Sequence, residues 1–164
     1  MIFVCVGSRP YQFNRLFEEL DRLVGEGCVK EPLFAQIGAS TYKPKNFAFE
    51  CFMDPDAFKA KMAEADIVIS HGASGSIMGA LNAGKRVIAV SRLAKYGEHI
   101  NDHQVGINET LASDGLVLAV REMDELGDAI EAMENGSVKL KPWKNPNPNA
   151  IIDEIDLFIQ EEVL

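Results

Sequence analysis

The residues best suited to chemistry lie within positions 65–90, in the run ADIVISHGASGSIMGALNAGKRVIAV. Ile67, Val68 and Ile69 give way to His71, Gly72, Ala73, Ser74, Gly75 and Ser76, and a helix-forming segment then runs to Gly84 before a second apolar stretch at 87–90. Strand, glycine-rich turn, helix and strand make up the unit that sets backbone N–H groups and a helix N-terminus against a phosphate. Glycine serves there because a side chain would hold the anion off the backbone. Ser74 and Ser76 can cap the helix or donate to a ligand. The same pattern also describes an ordinary tight corner between strand and helix, and the loop alone leaves both readings open.

Other polar residues narrow the chemistry. His71 closes a strand just before the turn, where an imidazole either donates to a phosphate or sugar hydroxyl or holds a neighbouring loop; it is the one candidate catalytic residue, the catalytic groups being otherwise unassigned. His99 and His103 are four apart, a spacing that can bind metal on a helix. No Glu occupies the zincin position between them, and Asn101, Asp102 and Gln104 suit hydroxyl recognition better, so no metal site is expected. Ser74 and Ser76 lack the strained G-x-S-x-G setting of a serine nucleophile. Lys95 and Tyr96 read as a solvated loop by default. Glu98 and Asp102 are the nearest thing to paired carboxylates, and neither makes a convincing general base.

The elements that must position these residues follow from periodicity. Residues 2–6 form a short apolar strand ending at Gly7, Ser8 and Arg9; Phe13, Leu16, Phe17, Leu20, Leu23 and Val24 recur at helical spacing over 13–26. Strands are predicted at 33–37 and 47–52. A helix over 55–65 follows, with Asp54 at its N-cap and Pro55 at its first position. The glycine unit supplies two more strands, and 100–112, 116–120 and 124–134 read as helix, strand and helix. Strands alternating with helices imply a doubly wound α/β fold, a parallel sheet covered on both faces. Its ligand lies beyond the C-terminal strand ends, where Gly7-Ser8, Gly38-Ala39-Ser40 and the 72–76 turn would gather on one rim.

Composition sets the limits. A length of 164 residues allows one well-buried domain and not two. The net charge of −9 argues against a nucleic-acid partner gripped through its phosphates. A single nucleotide remains compatible, because a local glycine turn binds a diphosphate through backbone dipoles. No apolar run approaches a membrane span, and the opening MIFVCVGS reads as a buried strand rather than a signal peptide. Cys5, Cys28 and Cys51 are odd in number and without metal-ligand spacing, which predicts a reduced, cytoplasmic setting. Cys5 and Cys51 fall in strand-like runs and are expected to be buried. The domain is placed at 1–140, a Pro/Asn-rich strap (KPWKNPNPN) at 141–149, and a terminal helix at 150–164. Ile151, Ile152, Ile155, Phe158 and Ile159 share one face of that helix, free to pack on its own domain, a partner or a second copy of the chain.

Taken together, MIFVCVGS with FNRLFEELDRLV, the QIGAS turn, ADIVISHGASGSIMGALNAGK and RLAKYGEHINDHQ resemble the C-terminal domain of family 28 glycosyltransferases, in its small stand-alone form, over nearly the whole chain. The resemblance implies the Rossmann-like half of a GT-B enzyme that binds a UDP-sugar donor. The donor is then a substrate, with no further cofactor. A separate acceptor-binding chain, expected to be membrane-associated, would complete the enzyme and recruit this one to the membrane. Carried over by position, Gly7 and Ser8 match the first phosphate-side loop, and His71 to Ser76 match the diphosphate loop. Asn101, Asp102, His103 and Gln104 match the segment facing the donor sugar. Cys51, Phe52 and Met53 match the border of the uracil ring. The chain departs from the family at Gly79, where a ribose-binding Glu is usual, and at Arg86, where a proline is usual. Two rival classes stay open: a non-catalytic scaffold subunit, and a stand-alone nucleotide hydrolase or carrier.

Overall fold

The computed structural model describes residues 1–144, so the strap beyond Lys144 and the terminal helix expected at 150–164 lie outside the described residues. Six parallel strands form one sheet in the order β3-β2-β1-β4-β5-β6. They are β1 (Ile2–Cys5), β2 (Leu33–Gln36), β3 (Ala48–Glu50), β4 (Ile67–His71), β5 (Arg86–Val90) and β6 (Leu118–Val120). The helices between and after them are α1 (Asn14–Gly25), α2 (Pro55–Glu64), α3 (Ser74–Asn82), α4 (His103–Ser113) and α5 (Leu126–Glu134).

Every residue of β1 and β4 is buried, the signature of a parallel strand covered on both faces. Alternation along β1 divides the core in two. Ile2 and Val4 face one layer with Leu16, Phe17 and Leu20 of α1 and Ile130 and Met133 of α5. Phe3 and Cys5 face the other, with Met62 of α2 and Ile77, Ala80 and Leu81 of α3. Asp21 of α1 ties down the connection from β2 to β3, accepting from the Tyr42 hydroxyl (2.8 Å) and the Lys45 and Asn46 N–H groups.

Some boundaries differ from the sequence expectation for identifiable reasons. Asp54 caps α2 as predicted, accepting from the Asp56 and Ala57 N–H groups. The N-cap of α3 is Ala73, with no side-chain cap, so neither Ser74 nor Ser76 takes that role. The helix expected from 100 begins only at His103. The preceding stretch is held open as Glu98 accepts from the Leu93 N–H (2.9 Å) and Asp102 from the Ala94 N–H (2.7 Å). Of the cysteines only Cys5 is buried; Cys51 lies past the short β3 and is exposed, contrary to expectation. The first strap residues dock at the N-terminal end of the sheet: Lys141 N–H donates to Gly115 O, and Trp143 Nε1 donates to Asn82 Oδ1 (both 2.8 Å). No described helix is long and apolar enough to cross a membrane.

Candidate functional site

The strand order reverses direction between β1 and β4, which opens a crevice at their C-terminal ends. A cavity of about 470 Å³ occupies it. Gly7 and Arg9 after β1 form one side, and His71, Gly72, Ser74 and Ser76 the next. Arg92 after β5 and His103 and Gln104 of α4 complete it. Two glycines let these loops meet. Gly7 has φ +74°, and a Cβ there would lie 3.0 Å from His71 Cε1. A Cβ on Gly72 would lie 2.6 Å from Gln104 Cβ, so Gly72 admits α4 against the end of β4.

Two helix N-termini converge on this space. In α3 the Ser76 and Ile77 N–H groups both turn back to the Ala73 carbonyl, while those of Ser74 and Gly75 are left without an acceptor in the described chain. The first turn of α4 likewise carries no side-chain cap from its N-cap residue Asp102. Each N-terminus carries roughly half a positive charge. Arg9 and Arg92 add to this, and among the described residues no Asp or Glu lines the cavity. A protein of net charge −9 therefore gathers an electropositive pocket at its switch point.

Arg92 is the largest fully buried side chain, 1% exposed, and sequence reasoning passed over it. Its Nη2 donates to Val6 O (3.0 Å) and Tyr11 O (3.1 Å), its guanidinium lies over the Phe13 ring, and its Nε has no partner. The Glu98 carboxylate, also buried, is engaged instead by Arg15 Nε at 2.7 Å and by the Leu93 N–H. Burial lowers the Arg92 pKa to about 10, which leaves it charged at neutral pH. The one cue in the sequence is a cation placed directly after the buried β5 run, where a parallel strand delivers its next residue to the ligand rim.

His71 is buried, with Nδ1 3.4 Å from Cys5 O. Desolvation, reinforced by the Arg92 charge, pushes its pKa down to about 4, so the ring is neutral at pH 7. A folded-state value below the ordinary one means that the unfolded chain binds more protons in between. Stability is full above pH 6.5, the ordinary His value, and is lost as pH falls towards 4. The loss is on the order of 3 kcal/mol. His71→Gln is expected to flatten this part of the pH profile, as measured by denaturant unfolding at pH 7 and pH 4.5; an unchanged slope would show that His71 does not carry it.

The remaining expected site residues are divided. Ser8, Phe52 and Met53 line a second cavity of about 200 Å³ with Gln36 and Phe58, on the β2 side of Gly7, which borders both. Gln36 braces this junction, accepting from Val6 N–H and donating to the carbonyls of Gly7 and Cys51. Cys51 thus contributes a carbonyl beneath the cavity and not its side chain to the lining. Asn101 and Asp102 lie outside the main cavity: Asn101 Oδ1 pairs with the backbone and ring of His103, and Asp102 holds Ala94. His103 and Gln104 line it. The His99 and His103 rings meet edge to face, centroids 4.9 Å apart. Among the described residues no group of three His, Cys, Asp or Glu side chains is placed to hold a metal ion.

Comparisons with known proteins bear on the family and the fold. The chain is 30% identical over 125 residues to the mouse (Mus musculus) UDP-N-acetylglucosamine transferase subunit ALG13, covering 69% of this chain and 10% of that protein. It therefore spans about a tenth of that relative's length. The solution structure of an ALG13 superposes with a TM-score of 0.59 at 16% identity, covering 92% of this chain and 93% of that one. Acinetobacter baumannii MurG superposes at 0.57 and 17% identity, over 82% of this chain and 42% of its own. At such identities these structures establish the fold alone: a Rossmann-like domain of the GT-B type, a six-stranded parallel sheet with flanking helices. With the switch-point cavity and glycine loops in place, the match of residues 1–154 to the glycosyltransferase family 28 C-terminal domain fixes the assignment, and the chain belongs to that family.

Proposed function

We propose that the chain is the donor-binding subunit of an inverting UDP-sugar glycosyltransferase, acting with a separate acceptor-binding chain on a lipid-linked or polysaccharide acceptor. The observation that carries this reading is the carboxylate-free, cationic cavity at the switch point, walled by two helix N-termini. A nucleoside diphosphate enters with its base in the smaller cavity beside Phe52 and Met53 and its phosphates against Gly7 and the 72–76 loop. Transfer then builds negative charge on the departing UDP. Preorganised N–H dipoles and cations balance that charge without reorganising at the moment of reaction, and so lower the barrier. Of the carboxylates near the site, Glu98 is committed to Arg15 and Asp102 to Ala94, and the His71 ring, its pKa pushed down to about 4 by burial, is a weak base for the acceptor hydroxyl. Deprotonation falls to the partner. Localisation follows the same reading: a cytoplasmic subunit brought to the membrane by its partner.

Calorimetric titration with UDP, UDP-N-acetylglucosamine, UDP-glucose and ADP tests the donor assignment. Uridine-selective binding is expected, and binding of none of them would overturn it. The scaffold reading draws on one feature, the missing acidic acceptor for the ribose. Gly79 is exposed, and a Cβ there would meet nothing within 4 Å. Gly79→Glu is therefore expected to fold and to tighten UDP binding by about 1 kcal/mol or more, the scale of a charge-assisted hydrogen bond. Binding must be read separately from melting, because replacing a helical glycine raises stability by itself. No gain would mean that another group already serves the ribose.

A further inference from the structure

A buried ion pair stands outside the switch-point cavity and holds one of its walls. Glu98 is 1% exposed, and both of its oxygens are taken, Oε1 by Arg15 Nε (2.7 Å) and Oε2 by the Leu93 N–H (2.9 Å). Arg15, in the first turn of α1, also donates from Nη2 to Ser91 O (2.6 Å), and its guanidinium lies over the rings of Phe13 and Tyr96. One side chain of α1 thus grips the chain after β5 at two points, Ser91 and Glu98. Gln12 Nε2 adds a bond to Tyr96 O (2.9 Å). The gripped segment divides two spaces. Tyr96 and Glu98 line a cleft of about 420 Å³ with Arg15 and Glu122, whereas the next two residues, His99 and Ile100, line the switch-point cavity. The His99 ring rests against Tyr11, centroids 5.0 Å apart, and its Nδ1 is buried without a partner among the described residues.

Stability does not account for the pair. Two desolvated charges can often be replaced by packed apolar groups at no cost, and the best-attested use of such pairs is to hold the chain in one arrangement. We propose that Arg15 and Glu98 are positioning residues: they fix the loop so that His99 and Ile100 stand in the cavity wall, and through that wall they set the affinity for the sugar end of the donor. This rests on the UDP-sugar reading above, in which the base lies beside Phe52 and the phosphates on the glycine loops, leaving His99, Ile100 and His103 to the group that the diphosphate carries. A loosened loop must be ordered again by any ligand that needs this wall. UDP, which does not reach it, is spared that cost.

The test is calorimetric titration of UDP, UDP-N-acetylglucosamine and UDP-glucose against the wild-type chain, Glu98→Gln, Arg15→Lys and the double variant Arg15→Met with Glu98→Leu, each checked by thermal unfolding. The double variant removes both charges together and leaves neither unpaired, so it is expected to fold. In all three variants UDP affinity is expected to stay within about twofold of the wild type. Affinity for whichever UDP-sugar the wild type binds is expected to fall by about tenfold or more in Glu98→Gln and in the double variant. Arg15→Lys should lose less, because it keeps the charge but cannot hold Ser91 O and Glu98 at once. It decides the matter if the others do not fold. Folded variants that keep the wild-type ratio of UDP-sugar to UDP affinity, whether both are unchanged or both fall together, overturn the proposal. Failure of all three to fold would make the pair a stability element and overturn it as well. A wild type that binds UDP and neither sugar removes the sugar from this wall, and one that binds no ligand overturns the donor reading itself.

Discussion

Gly72→Ala is expected to destabilise the domain by about 3 kcal/mol and to remove nucleotide binding, although it adds a single methyl group. The added carbon would lie 2.6 Å from Gln104 Cβ and 2.9 Å from Asn108 Nδ2. Neither neighbour is the free end of a flexible chain. Gln104 is buried and accepts from Arg92 N–H, and Asn108 Nδ2 donates to Ser91 Oγ. Relief would come only by moving α4 away from the ends of β4 and β5, which opens the cavity wall. Gly75→Val makes the informative contrast, because a Cβ on Gly75 meets nothing within 4 Å. That variant is expected to melt like the wild type yet bind UDP at least tenfold more weakly, its branched side chain crowding the free N–H groups of Ser74 and Gly75. Denaturant unfolding and calorimetry on both variants separate the effects. A wild-type midpoint for Gly72→Ala would refute the packing argument, and unchanged UDP affinity in folded Gly75→Val would remove this loop from the site.

Those two glycines show what could be read in the chain and what could not. The order of elements was legible because β1, β4 and β5 are buried on both faces and appear as continuous apolar runs. The loops followed, since parallel topology sends every strand end to one rim. Sequence could not tell which glycine is packed against the protein and which stands open: Gly72 lies against α4 in the cavity wall, while Gly75 is exposed and outside the lining. Gly72 and Gly75 look alike, and only the arrival of α4 separates them. Likewise Asn101, Asp102, His103 and Gln104 form one polar run, but the late start of α4 puts the first two outside the cavity and the last two in its wall. Arg92 was missed for a reason of base rates, because arginine is seldom fully buried. Its environment comes from Val6, Tyr11 and Phe13, all distant in sequence, so no local pattern announces it.

The largest effect is expected in activity: the chain alone should transfer no sugar, and transfer should appear only when an acceptor-binding chain is added. The cavity is walled on the side of the sheet and open above it, so an acceptor hydroxyl could be neither held in line with the sugar nor shielded from water. The large apolar residues most exposed among those described are Phe52 at 55%, Tyr96 at 47% and Ile100 at 74%; all three lie beyond the C-terminal ends of strands, Ile100 in the wall of the main cavity, Phe52 in the smaller one and Tyr96 in a separate cleft beside Arg15 and Glu122. If the acceptor-binding chain covers this edge, Ile100 is the most exposed apolar residue it would meet. Ile100→Glu is therefore expected to weaken assembly with the partner by at least tenfold while leaving the melting temperature unchanged, as read by co-purification and thermal unfolding. Truncation after Lys144 keeps the Trp143 anchor on Asn82 and removes the Ile151, Ile155, Phe158 and Ile159 face. It is expected to reduce partner or self-association more than UDP binding. Robust transfer by the purified chain would refute the divided enzyme. Undiminished assembly of both variants would place the partner on a different face of the sheet.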